Sequence, residues 1–127
     1  ALANEDVERS AAAAREKVAR RVARLRGGRP MPALADRPAI LVDDGIAAGS
    51  TLRTAIAALR KLGAQRIVVA VSTGHDRSVD LIAGLADEVY CANIRAGGRF
   101  AVADAYEQWS DVSDDEALSI LRPLRVP

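Results

Sequence analysis

A chain of 127 residues, half of them apolar, is long enough to bury one modest core and too short to argue for two. Its 18 basic and 17 acidic residues leave a net charge of +1, so no chain-wide field draws in nucleic acid or an anionic membrane. No apolar run approaches the roughly 18 residues of a membrane span, nothing reads as a signal peptide, and the one cysteine, Cys91 in the run EVYCA, reads as a buried core residue in a reducing, cytoplasmic compartment.

The chain starts at Ala1 in a segment that already reads as the interior of an element. Val7, Ala11, Ala14, Val18, Val22 and Leu25 recur at steps of three and four, the stripe of a long helix from Val7 to Leu25. Its other positions carry Arg9, Arg15, Lys17, Arg20, Arg21, Arg24 and Arg26, read as a solvated basic face. The apolar stripe asks for a partner, and a second copy of the chain is one candidate. Gly27 and Gly28 end the helix, and Pro30 and Pro32 cannot continue it. The expected layout is one domain, in which a helix over 1–26 and a linker over 27–38 precede an α/β core and C-terminal segment over 39–127.

That core opens with Ala39-Ile40-Leu41-Val42, a continuous apolar run suited to a buried parallel strand. Thr51 to Leu62 follows with Leu52, Ile56, Leu59 and Leu62 at helical spacing, stopped by Gly63. The pattern repeats: a second buried strand over Arg66 to Ser72, a helix over Arg77 to Leu85, and a third strand over Asp87 to Ala92. Such alternation predicts right-handed βαβ crossovers and a parallel sheet with flanking helices. Beyond it a short extended piece is expected at Arg99 to Val102. A last helix is expected through Leu121, with Ser113 as N-cap and Glu116 completing a capping box.

In an open α/β sheet, ligands bind beyond the carboxyl ends of the strands. Asp43-Asp44 stands there, just after Val42. Adjacent carboxylates repel each other unless donors or a cation are brought to them, and the vicinal hydroxyls of a ribose are two such donors. Next come Gly45-Ile46-Ala47-Ala48-Gly49-Ser50-Thr51, small residues leading into a helix start, where amides approach an anion closely. Hydrogen bonds to charged groups contribute about 1.5–3 kcal/mol each, and four or five of them suffice for binding near the micromolar level, about 8 kcal/mol. No lysine stands where a nucleoside triphosphate loop needs one.

The run AILVDDGIAAGST, Ala39 to Thr51, resembles the phosphoribosyl-diphosphate loop of the type I phosphoribosyltransferases. Asn4-Glu5-Asp6-Val7, Arg26-Gly27-Gly28-Arg29-Pro30 and Ala103 to Glu116, ADAYEQWSDVSDDE, are similar to small bacterial proteins of that family. The resemblance implies the C-terminal part of a Rossmann-like phosphoribosyltransferase core, incomplete at its N-terminus. It implies that Asp43 and Asp44 hold the ribose 2′- and 3′-hydroxyls at the catalytic centre, and that Gly45, Ile46, Ala47, Ala48, Gly49, Ser50 and Thr51 bind the 5′-phosphate. Magnesium arrives with the diphosphate, and the reaction, a glycosyl transfer, displaces that diphosphate by a nitrogenous base. Hypoxanthine and guanine enzymes carry an acid where this chain has Ala47, which argues against that subclass. Ala48 removes one hydroxyl found in many members. The family's diphosphate loop and first strand, helix and hairpin precede the stretch represented here, so this chain is expected to bind the phosphoribosyl group better than it transfers it.

Phe100 stands where purine-type members place a ring against the base, with core packing as the alternative. Tyr106 and Trp109 are expected to pin the C-terminal segment to the sheet. His75, the one histidine, either faces the ligand or stands exposed on its loop. A non-catalytic sensor of phosphoribosyl diphosphate or nucleotides is the second functional reading. A phosphoacceptor receiver domain fits poorly, because Ser72 occupies an acceptor position and no lysine follows Lys61.

Overall fold

The computed structural model describes residues 4–124, which fall into two compact units. One comprises the segments through Met31 and from Ser110 onward, the other Pro32–Trp109.

In the first unit, helix α1 runs Asn4–Arg26 and buries none of its residues. Local terms explain why it is helical: an alanine-rich centre, Glu5 and Asp6 in the first turn, and Arg24 and Arg26 in the last, where each charge complements the helix dipole. Asp6 with Arg9 and Glu16 with Arg20 add ion pairs along its surface. Gly27 and Gly28, at φ 60° and 79°, end it as expected. Helix α4, Asp114–Leu121, meets α1 through Arg21 with Asp114 and Arg24 with Asp115. The Ser113 hydroxyl accepts from the Glu116 amide at 3.2 Å, so the N-cap is as expected. Among the described residues the Glu116 carboxylate makes no return bond to the Ser113 amide, so only half of the capping box forms.

The second unit is a βαβαβ succession: strand β1, Ala39–Ile46; helix α2, Ser50–Lys61; β2, Ile67–His75; α3, Asp76–Ala83; and β3, Glu88–Arg95. The strands are parallel in the order β1-β2-β3. Two successive right-handed crossovers in that order put both helices on one face. Leu52, Ile56 and Leu59 of α2 and Val79 and Ile82 of α3 accordingly join Ile46, Ile67, Val69 and Val71 in one core. The expectation of strands buried on both sides is therefore corrected. Ile40 is 62% and Val42 77% exposed, since neither helix of this unit covers the other face. Cys91 is likewise half-buried rather than buried, packed at the margin of the core.

Asp87 secures the end of the sheet where the strands begin. Its carboxylate accepts from the Ile67 amide at 2.6 Å and from the Arg60 guanidinium at 2.7 Å, and the same guanidinium donates to the carbonyls of Ala64 and Gln65. These bonds hold the Asp87 carboxyl below the usual carboxylate range, the Ile67 amide contributing most and Arg60 next. With this end fixed, the carboxyl ends of all three strands are free to build a site.

Beyond β3 the chain turns at Gly97, φ 130°, and Gly98. In the piece expected to be extended, Arg99 to Val102, Ala101 is extended at φ −119° and ψ 135°, while Val102 opens a 3-10 turn, Val102–Ala105. Its side chain is seated where Gly45 has none: a Cβ on Gly45 would lie 2.7 Å from Val102 Cγ1 and 2.9 Å from Thr73 Cγ2.

Candidate ligand-binding site

The acid pair is part of β1, not of the loop after it. The strand continues four residues past Val42, and Gly45 and Ile46 pair with Thr73 and Gly74. The apolar run alone understated its length because the residues that end the strand are polar or small, yet β2 continues beside them. One row breaks the ladder. Pairing runs from Ala39↔Ile67 to Asp43↔Val71 and resumes at Gly45↔Thr73, with Asp44 and Ser72 between. Past this row the alternation changes, and Ile46, two residues beyond the exposed Asp44, is 1% exposed.

At the interrupted row Asp44 finds other partners. Its amide donates to its neighbour's carboxylate, Asp43 Oδ1, at 3.1 Å. Its carbonyl accepts from Ser72 Oγ at 2.6 Å and from the Tyr106 hydroxyl at 2.7 Å. The Asp44 carboxylate has no hydrogen-bond partner among the described residues, and it is exposed. Tyr106 thus ties the C-terminal segment to β1 and packs edge-on against Trp109, centroids 5.2 Å apart, the pinning role expected for that pair.

The turn after β1 brings the chain into α2 through Gly49, whose φ of 74° favours a residue without a side chain. The Gly49 carbonyl accepts the first helical bond from the Arg53 amide at 2.9 Å. No side chain caps the helix, so the amides of Ser50, Thr51 and Leu52 lack intrahelical acceptors. The Ser50 and Thr51 hydroxyls also have no protein partner among the described residues. Asp43, Asp44, Gly45, Ile46, Ala47, Ala48, Gly49, Ser50 and Thr51, joined by Leu52, line one concavity of about 370 Å³. Of the expected run Ala39 to Thr51, the residues from Asp43 onward line it, with amide donors at the helix end and the acid pair at the strand end, while Ala39 to Val42 do not. That polarity suits a ligand with an anionic group at one end and hydroxyls at the other.

A family model described as phosphoribosyl transferase domain matches residues 4–105. The chain belongs to the phosphoribosyl transferase domain family. Two Mycobacterium tuberculosis proteins, from strains CDC 1551 / Oshkosh and ATCC 25618 / H37Rv, each bear the name "Putative phosphoribosyl transferase". Each is 43% identical to it over 102 residues, 80% of this chain. The chain spans 23% of the length of those relatives. The crystal structure of TT1426 from Thermus thermophilus superposes with a TM-score of 0.76 at 32% identity, over 94% of this chain and 57% of that one. Together with the parallel three-stranded sheet and its flanking helices, these likenesses establish the type I phosphoribosyltransferase fold.

Two residues weighed from the sequence lie outside that concavity. His75 ends β2 and serves as N-cap of α3; it is neither exposed nor on a loop. Its Nε2 lies 2.8 Å from the Gly97 carbonyl and its Nδ1 2.9 Å from Asp76 Oδ1, and its side chain is 20% exposed. Phe100 belongs to neither the core nor the loop concavity: its ring stands edge-on to His75, centroids 6.2 Å apart. Ser72 was not among the residues expected to serve the site. Its bond to Asp44 spans 28 residues and that of Tyr106 spans 62, so no local pattern announces either. Among the described residues no helix is long and apolar enough to cross a membrane.

Proposed function

We propose that this chain binds 5-phosphoribosyl 1-diphosphate, or a nucleoside 5′-monophosphate, through residues 39–51. In the intact protein it transfers phosphoribose to a nitrogenous base. The observation that carries the reading is the juxtaposition of the uncapped α2 start with the Asp43-Asp44 strand end in one concavity. In this reading the amides from Gly45 to Thr51 and the Ser50 and Thr51 hydroxyls hold the 5′-phosphate. Asp43 and Asp44 accept from the 2′- and 3′-hydroxyls and stabilise positive charge developing at the anomeric carbon.

Magnesium would be carried by the diphosphate and would supply neutralisation of its charge. Among the described residues no cluster of three or more His, Cys, Asp or Glu forms a cage. One or two carboxylates beside substrate phosphates and waters suit this cation, and Asp43 and Asp44 are the carboxylates at hand. Ala47 leaves the loop without an acid, so proton removal from the acceptor falls to another group or to a base that needs none. Phe100 is the ring we assign to the acceptor side, supported by its place beside the β2 carboxyl end. A cytoplasmic setting and a homodimer joined through the exposed α1 stripe complete the proposal.

Titration calorimetry with phosphoribosyl diphosphate and magnesium, beside a diphosphate-release assay on the intact protein, tests it. Binding in the micromolar range and base-dependent release are expected. Binding without release across a panel of bases would replace the transferase by a sensor, and no binding would overturn the assignment of the loop.

A further inference from the structure

The Asp44 peptide is held on both sides while its carboxylate is left open. The amide is engaged by Asp43, and both lone pairs of the carbonyl are used, one by Ser72 Oγ and one by the Tyr106 hydroxyl. The two hydroxyls also touch each other. These contacts fall at the one row between β1 and β2, Asp44 beside Ser72, that lacks a pair while the register is the same on both sides of it, so side chains supplement the strand pairing there. Immediately after, Val102 packs on Gly45 within a clearance that admits no Cβ. The segment 102–106 therefore grips β1 at two consecutive residues, one on either side of the boundary between acids and phosphate loop.

We infer that Tyr106 and Ser72 are positioning residues that aim the Asp44 carboxylate at the ribose 2′-hydroxyl, so that this pair sets discrimination between ribose and deoxyribose phosphates. This rests on the binding reading proposed above. A hydroxyl acting through Asp44 affects recognition of the sugar and leaves the phosphate end, held by α2, untouched. A tyrosine that only glued the segment down would weaken all ligands alike, through loss of folded protein.

The test is titration calorimetry of the 127-residue chain and its Tyr106→Phe and Ser72→Ala variants with ribose 5-phosphate and with 2-deoxyribose 5-phosphate, alongside thermal melting. The wild type is expected to prefer the ribose form. In each variant that preference should shrink about fivefold, the loss of one ordinary hydrogen bond, with affinity for the deoxy form nearly constant. An unchanged ratio, or equal loss of both ligands, would overturn the inference while leaving the binding reading intact. Failure of the wild type to bind either sugar phosphate would overturn both. Should Tyr106→Phe not fold, Ser72→Ala decides alone, because its hydroxyl meets the same carbonyl from within β2.

Discussion

At the scale of single residues, charge placement separates function from stability. Asp44 offers an exposed carboxylate with no protein partner among the described residues, whereas Asp87 is bonded to an amide and a guanidinium at the other end of the sheet. Asp44→Asn should lower affinity for ribose 5-phosphate about tenfold, the share of one charge-assisted bond. Binding of inorganic phosphate should not change, and competition titrations distinguish the two. Asp87 belongs to stability. Because its folded carboxyl lies below the unfolded value, its contribution is complete above about pH 4 and disappears as pH falls through the folded value. Asp87→Asn should melt below wild type at neutral pH, and the gap should close under acid. Glu88, lowered first by its hydrogen bond from Arg66 and then by that from Tyr90, leaves the variant a residual acid sensitivity.

At the scale of elements, close approach of backbone to side chain does the positioning. Gly74 on β2 has an ordinary φ, yet a Cβ there would stand 2.6 Å from Val79 Cγ2 of α3 and 3.4 Å from Cys91 Sγ. Gly74→Ala must displace the Val79 side chain from its packing against the sheet, and a loss of about 1–3 kcal/mol in urea denaturation is expected. Gly49 is constrained differently, through its left-handed backbone at the α2 start. Helix and strand identities were legible in the sequence because apolar spacing reports which face is buried. Boundaries were less so: β1 carries on through Asp43 to Ile46 because β2 continues beside it, and no property of Asp43 itself reveals that. The 3-10 turn at Val102 was illegible for a similar reason, since its conformation answers to the gap above Gly45.

At the scale of the whole molecule, the polypeptide carries the Asp43–Leu52 concavity on a small parallel sheet and spans only part of its relatives' length. Residues 1–127 alone are expected to bind ribose 5-phosphate yet release diphosphate far more slowly than common transferases, and turnover at ordinary enzyme rates would refute this. Single-turnover assays with a panel of bases measure it. By itself the sequence determined the βαβαβ order, the helix-capping glycines and the loop from Asp43 to Thr51, because each depends on residues within a few positions of one another. The tertiary structure alone decided that both helices of the sheet unit lie on one face of the sheet, that His75 is drawn to Gly97, and that Ser72 and Tyr106 converge on the carbonyl of Asp44. Those facts join residues brought together by strand register and by the path of the chain after β3, and the sequence carries no local record of them.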